Sequence, residues 1–344
     1  MRALKVGLPT WALLVGISIV DATGCNPGDN GGTVGAGTGG SSAPVGGNAG
    51  QGGSSGMGGM VIALPDAAPA GGAGGGSTAE EWPPAGYINR RSGSYGEYAL
   101  GPKPSGQTAL PKPGQCAGLF GVIRDFKMNN AAGEGHPDFQ TVTSASDTGI
   151  VTDTLGDDGK PIYAHPDGKT PTTTGRANFD QWYRDVEGVN QTFMLGLKFA
   201  PNGNVVTFAA SLGNTDATVP DTYFFPLDGQ GWNDEGKGKD GEQHNFAFTT
   251  EIHTTFTYNG GETFKFQGDD DVFVYINKHL AIDLGGIHNQ KTLTVDMDQQ
   301  AEKFGIEKGK VYELAVFNAE RHTSESNFRI DTTMVFEDCG TIIL

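Results

Sequence analysis

FQGDDDVFVYINKHLAIDLGGIH, residues 266–288, decides the fold. Within it DVFVYI, Asp271 to Ile276, is apolar at consecutive positions. An extended strand points alternate side chains to opposite faces, so this one must be covered on both sides, inside a sheet rather than on its surface. Asn277-Lys278 then turns the chain into HLAIDL, which makes a hairpin. Gly268-Asp269-Asp270-Asp271 stands directly before the buried strand, a charged corner at the mouth of an apolar element.

The flanking sequence keeps the two-residue period. In NFRIDTTMVF, Phe328, Ile330, Met334 and Phe336 share one face, with Arg329, Asp331 and Thr333 opposite. In HNFAFTTEIHTTFTY, Phe246, Phe248 and Ile252 share a face, and Asn202-Gly203, Asp228-Gly229 and Asn259-Gly260-Gly261 punctuate the runs. Helix is scarce. DMDQQAEKFG (296–305) has an aspartate to start it and Gly305 to stop it, and ANFDQWYRDV (177–186) suggests another turn. The predicted fold is all-β, an antiparallel β-sandwich with long loops and one or two short helices.

Composition confines that fold to the later part of the 344 residues. Of 55 glycines, 20 fall between Asn26 and Glu80, a stretch without aromatics, Lys or Arg. Such a segment buries too little apolar surface to offset chain entropy, so residues 25–115 read as a disordered Gly/Ser/Pro-rich tether. Before it, Arg2 and Lys5 precede an apolar run from Val6 to Val20, short for a membrane span and suited to a signal peptide over residues 1–24. The run ends in Ala22-Thr23-Gly24-Cys25, which resembles a bacterial lipobox and makes Cys25 the expected lipidation site. This places the protein outside the cytoplasm, lipid-anchored at a bacterial surface, with the outer membrane preferred. Cys116 and Cys339 bracket the folded stretch, residues 116–340, and in an oxidising compartment suggest a disulfide joining its ends. Residues 341–344 read as a tail.

The formal net charge of −17 excludes nucleic acid, whose recognition needs a basic face, and leaves the lipid anchor as the only membrane contact. It permits divalent cations, which take carboxylate and carbonyl oxygens. Three consecutive carboxylates at 269–271 repel one another and need compensation. They are either a solvated acidic loop or a Ca²⁺ site. DTLGDDGK (153–160) and WNDEGKGKDGE (232–242) fail the spacing of an EF-hand, and the seven histidines form no HExxH. No nucleophile elbow, phosphate loop or dinucleotide fingerprint is present.

The stretch 266–288, followed by FNAERHTSESNFRIDT and preceded by GVIRDFK, HPDF, FDQWYRDVEGVN and FFPLDGQGWNDE, resembles the fibro-slime domain over about Gly118 to Phe336. That family is similar to the PA-14 (protective-antigen-type) β-sandwich, a carbohydrate-binding module. The resemblance implies Ca²⁺ held by an Asp-Asp pair joined by a cis peptide, which maps to Asp269 and Asp270, with Asp271 beside them as a further candidate ligand. It implies a later asparagine ligand, which by order falls on Asn327. Asp283, Gly285, Gly286 and His288 match the signature after the hairpin. Sugar contacts are expected at Asp269, Asp270, His288 and Trp232, with Trp182 and Tyr183 as further stacking candidates that a β-domain more often buries. The implied function is a non-enzymatic, Ca²⁺-dependent carbohydrate-binding or adhesion domain whose partner is a surface or matrix polysaccharide. Two alternatives stand beside it: a structural matrix protein whose acidic corner only stiffens the fold, and a glycosidase using carboxylates such as Asp270 and Glu320.

Overall fold

The strand Asp271–Ile276 sends Val272, Val274 and Ile276 into one apolar cluster, and Phe273 and Tyr275 into a second. Two covered faces require two layers besides its own sheet. The computed structural model describes residues 82–343, except 92–94, 105–117, 141–142, 211–222 and 234. Its strands in chain order are β1 (Ile88–Arg91), β2 (Glu97–Gly101), β3 (Leu119–Phe126), β4 (Ala145–Ser146), β5 (Asn190–Lys198), β6 (Ala200–Asn202), β7 (Val205–Ala210), β8 (Gly236–Lys237), β9 (Gln243–His244), β10 (Phe248–Tyr258), β11 (Thr263–Gly268), β12 (Asp271–Ile276), β13 (His279–Leu284), β14 (Gly286–Ile287), β15 (Lys291–Asp296), β16 (Lys310–Glu320) and β17 (Phe328–Thr332).

An eight-stranded sheet runs β1-β2-β5-β3-β10-β16-β12-β13, and a five-stranded sheet runs β15-β11-β17-β7-β6. All the pairings are antiparallel. The main core lies between them: Ile123, Leu195 and Val274 of the larger sheet meet Phe208, Phe266, Phe328 and Ile330 of the smaller. This is the predicted sandwich. The opposite face of the larger sheet is covered by the irregular segment between β3 and β5. There Phe139, Tyr163, Phe179, Trp182 and Tyr183 pack on Phe273, Tyr275 and Phe317. That layer explains why β12 is apolar on both faces.

The Asn277-Lys278 turn places both residues in the left-handed region, φ +46° and +66°, the two-residue geometry whose twist suits a hairpin. Asn277 Nδ2 donates to the Phe304 carbonyl, 2.7 Å, holding the turn against helix α2 (Met297–Phe304). Asp296 caps that helix by accepting from the Gln299 amide, and Gly305 ends it at φ +61°. The other helix, α1 (Arg176–Phe179), is shorter than its sequence suggested, and the chain beyond it runs in turns that lay Trp182 and Tyr183 on the sheet.

Buried charges tie the irregular layer down as well. Glu251 of β10 lies between Arg124 Nη1 at 2.7 Å and Lys160 Nζ at 2.5 Å, with His253 Nε2 at 2.8 Å. Burial opposes its ionisation, yet His253, Arg124 and Lys160 hold its pKa down to about 2.

Three boundaries differ from expectation. Strands β1 and β2 lie inside the stretch read as tether, and β2 pairs with β5, because Trp82 and Tyr87 bring aromatic surface onto Phe120. The supposed tail also packs: the Ile343 carbonyl accepts from Lys160 Nζ, 2.7 Å, and the Thr341 amide donates to the His253 carbonyl, 2.8 Å. Phe246 is buried just ahead of β10 against Phe225 and His244, apart from the Phe248–Ile252 face. The signal peptide and Cys25 lie outside the described residues.

Cys116 also lies outside them, while Cys339 is buried. The Phe120 amide donates to the Cys339 carbonyl at 2.7 Å, so Cys116, four residues from Phe120, is within a chain reach of about 14 Å. A non-reducing peptide map of exported protein should contain a Cys116–Cys339 linked peptide. Cys339→Ser should then cost about 2–5 kcal/mol in chemical denaturation. Two separate free thiols in the map would refute the link.

Candidate functional site

The antiparallel ladder between β12 and β16 pairs Asp271 with Ala319 and Val272 with Asn318. It brings the acidic corner beside Glu320 and Arg321 at the end of β16. Asn318 fastens the corner from below, donating through Nδ2 to the carbonyls of Asp269 and Asp271, both at 3.2 Å. The three aspartates then diverge.

Asp271 points inward and is fully buried. It accepts from Arg321 Nε at 2.6 Å and from the Gly286 amide at 2.7 Å. Arg321 continues inward, donating to the carbonyls of Asp138 and Thr172 and lying over the Trp182 ring, 4.6 Å from its centroid. Asp271 is therefore a structural anchor, neutralised by a guanidinium, rather than the further metal ligand that the sequence suggested. Asp270 accepts from the His288 amide, 3.1 Å, and the Arg321 amide, 3.2 Å. Asp269 accepts from the Asn327 backbone and side-chain amides, at 2.6 and 2.7 Å. The structure thus brings Asn327 onto Asp269. The expected cis bond is not at Asp269-Asp270; the non-proline cis bond among the described residues is at Thr323-Ser324.

Asp269 and Asp270 form the floor of a cleft of about 330 Å³. Ser144 to Ser146, His288, Asn289 and His322 to Glu325 wall it, with Lys239 at the rim paired to Glu325. His288 lines it, its ring held by the carbonyls of Leu284 and Asn289. Trp232 does not. It is half-buried elsewhere, its backbone amide donates to Asp125 at 2.5 Å, and Lys127 Nζ sits 4.3 Å from its ring centroid. Trp182 and Tyr183 are core. None of the described residues lining this cleft is aromatic, so recognition there rests on polar groups.

Asp283, Gly285 and Gly286 hold the wall. Asp283 accepts from the Gly149 and Gly285 amides, at 2.7 and 3.0 Å. The strand pair β4–β14 needs close backbone approach: a Cβ on Gly286 would lie 2.2 Å from the Ala145 carbonyl oxygen, and φ there is +105°.

Sequence reasoning had no reason to single out Arg321, and it met Glu320 only as an available carboxylate. Glu320 is 1% exposed and neither Oε1 nor Oε2 has a hydrogen-bond partner. Asp269 and Asp270 are 4% and 5% exposed. Burial, outweighing the Asn327 hydrogen bonds, lifts Asp269 to about 7. Burial and then the neighbouring Asp269 charge push Asp270 well above the usual carboxylate range, and burial and then Asp270 and Asp269 do the same to Glu320. Among the described residues, no three His, Cys, Asp or Glu side chains already stand as a metal-holding group. The donor chemistry nevertheless suits a hard cation: buried carboxylates, two of their oxygens unpartnered, with the nearest guanidinium committed to Asp271.

Two predictions follow from this geometry. Gly286→Ala should cost at least about 2 kcal/mol from backbone strain alone, read by denaturant midpoint, and should speed amide exchange at Asp147, whose N–H bonds the Gly285 carbonyl. Folding raises the pKa of Asp269, so the folded state holds the extra proton. Metal-free protein should therefore lose stability as pH climbs from about 4 to about 7, by up to about 4 kcal/mol from this group, and Asp269→Asn should flatten the melting-temperature slope measured in chelator.

The family model described as PA14 domain matches residues 226–341, which hold the acidic corner, the hairpin and the loop after β16. Three similar proteins of Dictyostelium discoideum are psiR (34% identical over 219 residues, 60% of this chain and 21% of that protein), psiQ (33% over 206 residues, 56% and 19%) and psiJ (36% over 240 residues, 63% and 30%). The chain thus spans a fifth to a third of the length of these relatives. Among solved structures, the PA14 domain of MpAFP antifreeze protein aligns over 70% of this chain and 98% of its own length, at 9% identity and a TM-score of 0.25. Residues 226–341, about a third of the chain, are thus similar to the PA14 domain.

Proposed function

We propose that the protein is a Ca²⁺-dependent carbohydrate-binding or adhesion domain, displayed outside the cell on the Gly-rich segment and lipid-anchored through Cys25. A PA14 domain marks a module of the carbohydrate-binding, adhesion type. The observation that carries the finer reading is the pair Asp269–Asp270, buried at the floor of a polar cleft with no cation committed to either carboxylate.

Asp269 and Asp270 would hold the ion with Asn327, whose side-chain amide already lies against Asp269. A half-turn of that amide directs its Oδ1 where its Nδ2 now lies. The bound ion supplies direct coordination of vicinal sugar hydroxyls. The chain's own polar groups complete recognition: Ser144, Ser146, His288 and Asn289 face the same cleft and offer donors and acceptors to further hydroxyls. The cleft favours a polar, non-stacked glycan edge over an apolar sugar face. The reading assigns the site no catalysis.

A glycan array probed with the full chain should give hits in CaCl₂ that disappear in EGTA. Asp269→Ala and Asp270→Ala should each lower the signal at least about tenfold while the fold is retained by circular dichroism. Hits that persist in chelator would overturn the role of the ion. An array without hits, alongside a Ca²⁺-raised melting temperature, would overturn sugar binding in favour of structural stiffening.

A further inference from the structure

We propose that Glu320 is a third carboxylate ligand of the cation, reaching the Asp269–Asp270 pair from beneath; the inference rests on the calcium reading above. The register places it there. With Asp271 opposite Ala319, the next step of the antiparallel ladder sets Asp270 against Glu320. Glu320 shares a face of β16 with Asn318, whose amide already grips the carbonyls on either side of Asp270. The acidic corner and the end of β16 therefore form one buried unit.

Both its oxygens are buried without a well-formed hydrogen bond; of the two donors beside it, the His322 amide and Ser326 Oγ, the latter donates to the Phe224 carbonyl at 2.8 Å. A buried carboxylate without hydrogen bonds costs folding free energy and persists where a ligand compensates it. Charge counting gives the same answer. Four carboxylates, Asp269, Asp270, Asp271 and Glu320, are buried beside one guanidinium, which pairs with Asp271. Lys239 at the rim pairs with Glu325. Three carboxylates are left without an ion-pair partner among the described residues, a donor set that suits a divalent ion of the oxygen-loving class. An ion held by Glu320 as well as by the aspartate pair would also lock the end of β16 to the start of β12, so that calcium occupancy orders the loop at residues 322–327.

Calorimetric titration of CaCl₂ into the metal-stripped full chain and its Glu320→Gln variant tests this. The expected result is binding about tenfold weaker in E320Q, with metal-free E320Q melting no lower than metal-free wild type because a buried uncompensated charge is gone. E320Q binding calcium within twofold of wild type would overturn the ligand role and leave the calcium reading intact. Wild type binding no calcium would overturn both. If E320Q does not fold, a structure of the wild type grown with CaCl₂ decides: a Glu320 oxygen at about 2.3–2.6 Å from the ion supports the assignment, and one beyond about 4 Å overturns it.

Discussion

One guanidinium is buried beside four carboxylates and pairs with one of them. Arg321 lies fully buried, its Nε on Asp271, its Nη1 on two backbone carbonyls and its plane over Trp182. Removing a charge from water costs several kcal/mol unless it is paired and hydrogen-bonded, and Asp271 meets both conditions. That pair is what lets β12 start inside the protein. Its consequence is the isolation of the other three acids, since the buried cation beside them among the described residues is already engaged. The cleft chemistry follows from this shortage of positive charge.

The scaffold makes the shortage tolerable by distributing backbone donors. Asp270 takes the amides of His288 and Arg321, and Asp269 takes both amides of Asn327. These donors come from three separate segments, the hairpin exit, the end of β16 and the start of β17. Each adjoins a strand ladder: β14 with β4 for His288, the eight-stranded sheet for Arg321 and the five-stranded sheet for Asn327. The site is therefore at a place where rigid strands end and loops begin, which holds ligands steady while leaving the cleft wall free to vary. Asp283 and the two glycines after it belong to the wall, not to the chemistry.

The irregular layer between β3 and β5 has a comparable role on a larger scale. It covers the outer face of the eight-stranded sheet with Phe139, Phe179, Trp182 and Tyr183, and it supplies Asp138 and Thr172, whose carbonyls receive Arg321. Core packing and the electrostatics of the acidic corner thus share residues. This also settles why the aromatics of FDQWYRDVEG are unavailable to a sugar: they seal the sheet that positions the aspartates.

Much of this was legible in the residues alone. The two-residue alternation from Phe120 onward, the doubly apolar DVFVYI and the Asp296/Gly305 helix stops determined a β-fold with β12 covered on both faces, because side-chain period and capping are local properties of the chain. The acidic triplet announced a charged corner for the same reason. Which aspartate faces in and which faces the cleft was decided only by tertiary structure, since three neighbours on a strand start can be told apart only by the partners brought to them, Arg321 from 50 residues later for Asp271 and Asn327 for Asp269. The isolation of Glu320, the burial of Trp182 and the inclusion of β1 and β2 in the sheet have the same origin: each depends on contacts across long stretches of sequence, which no local period encodes.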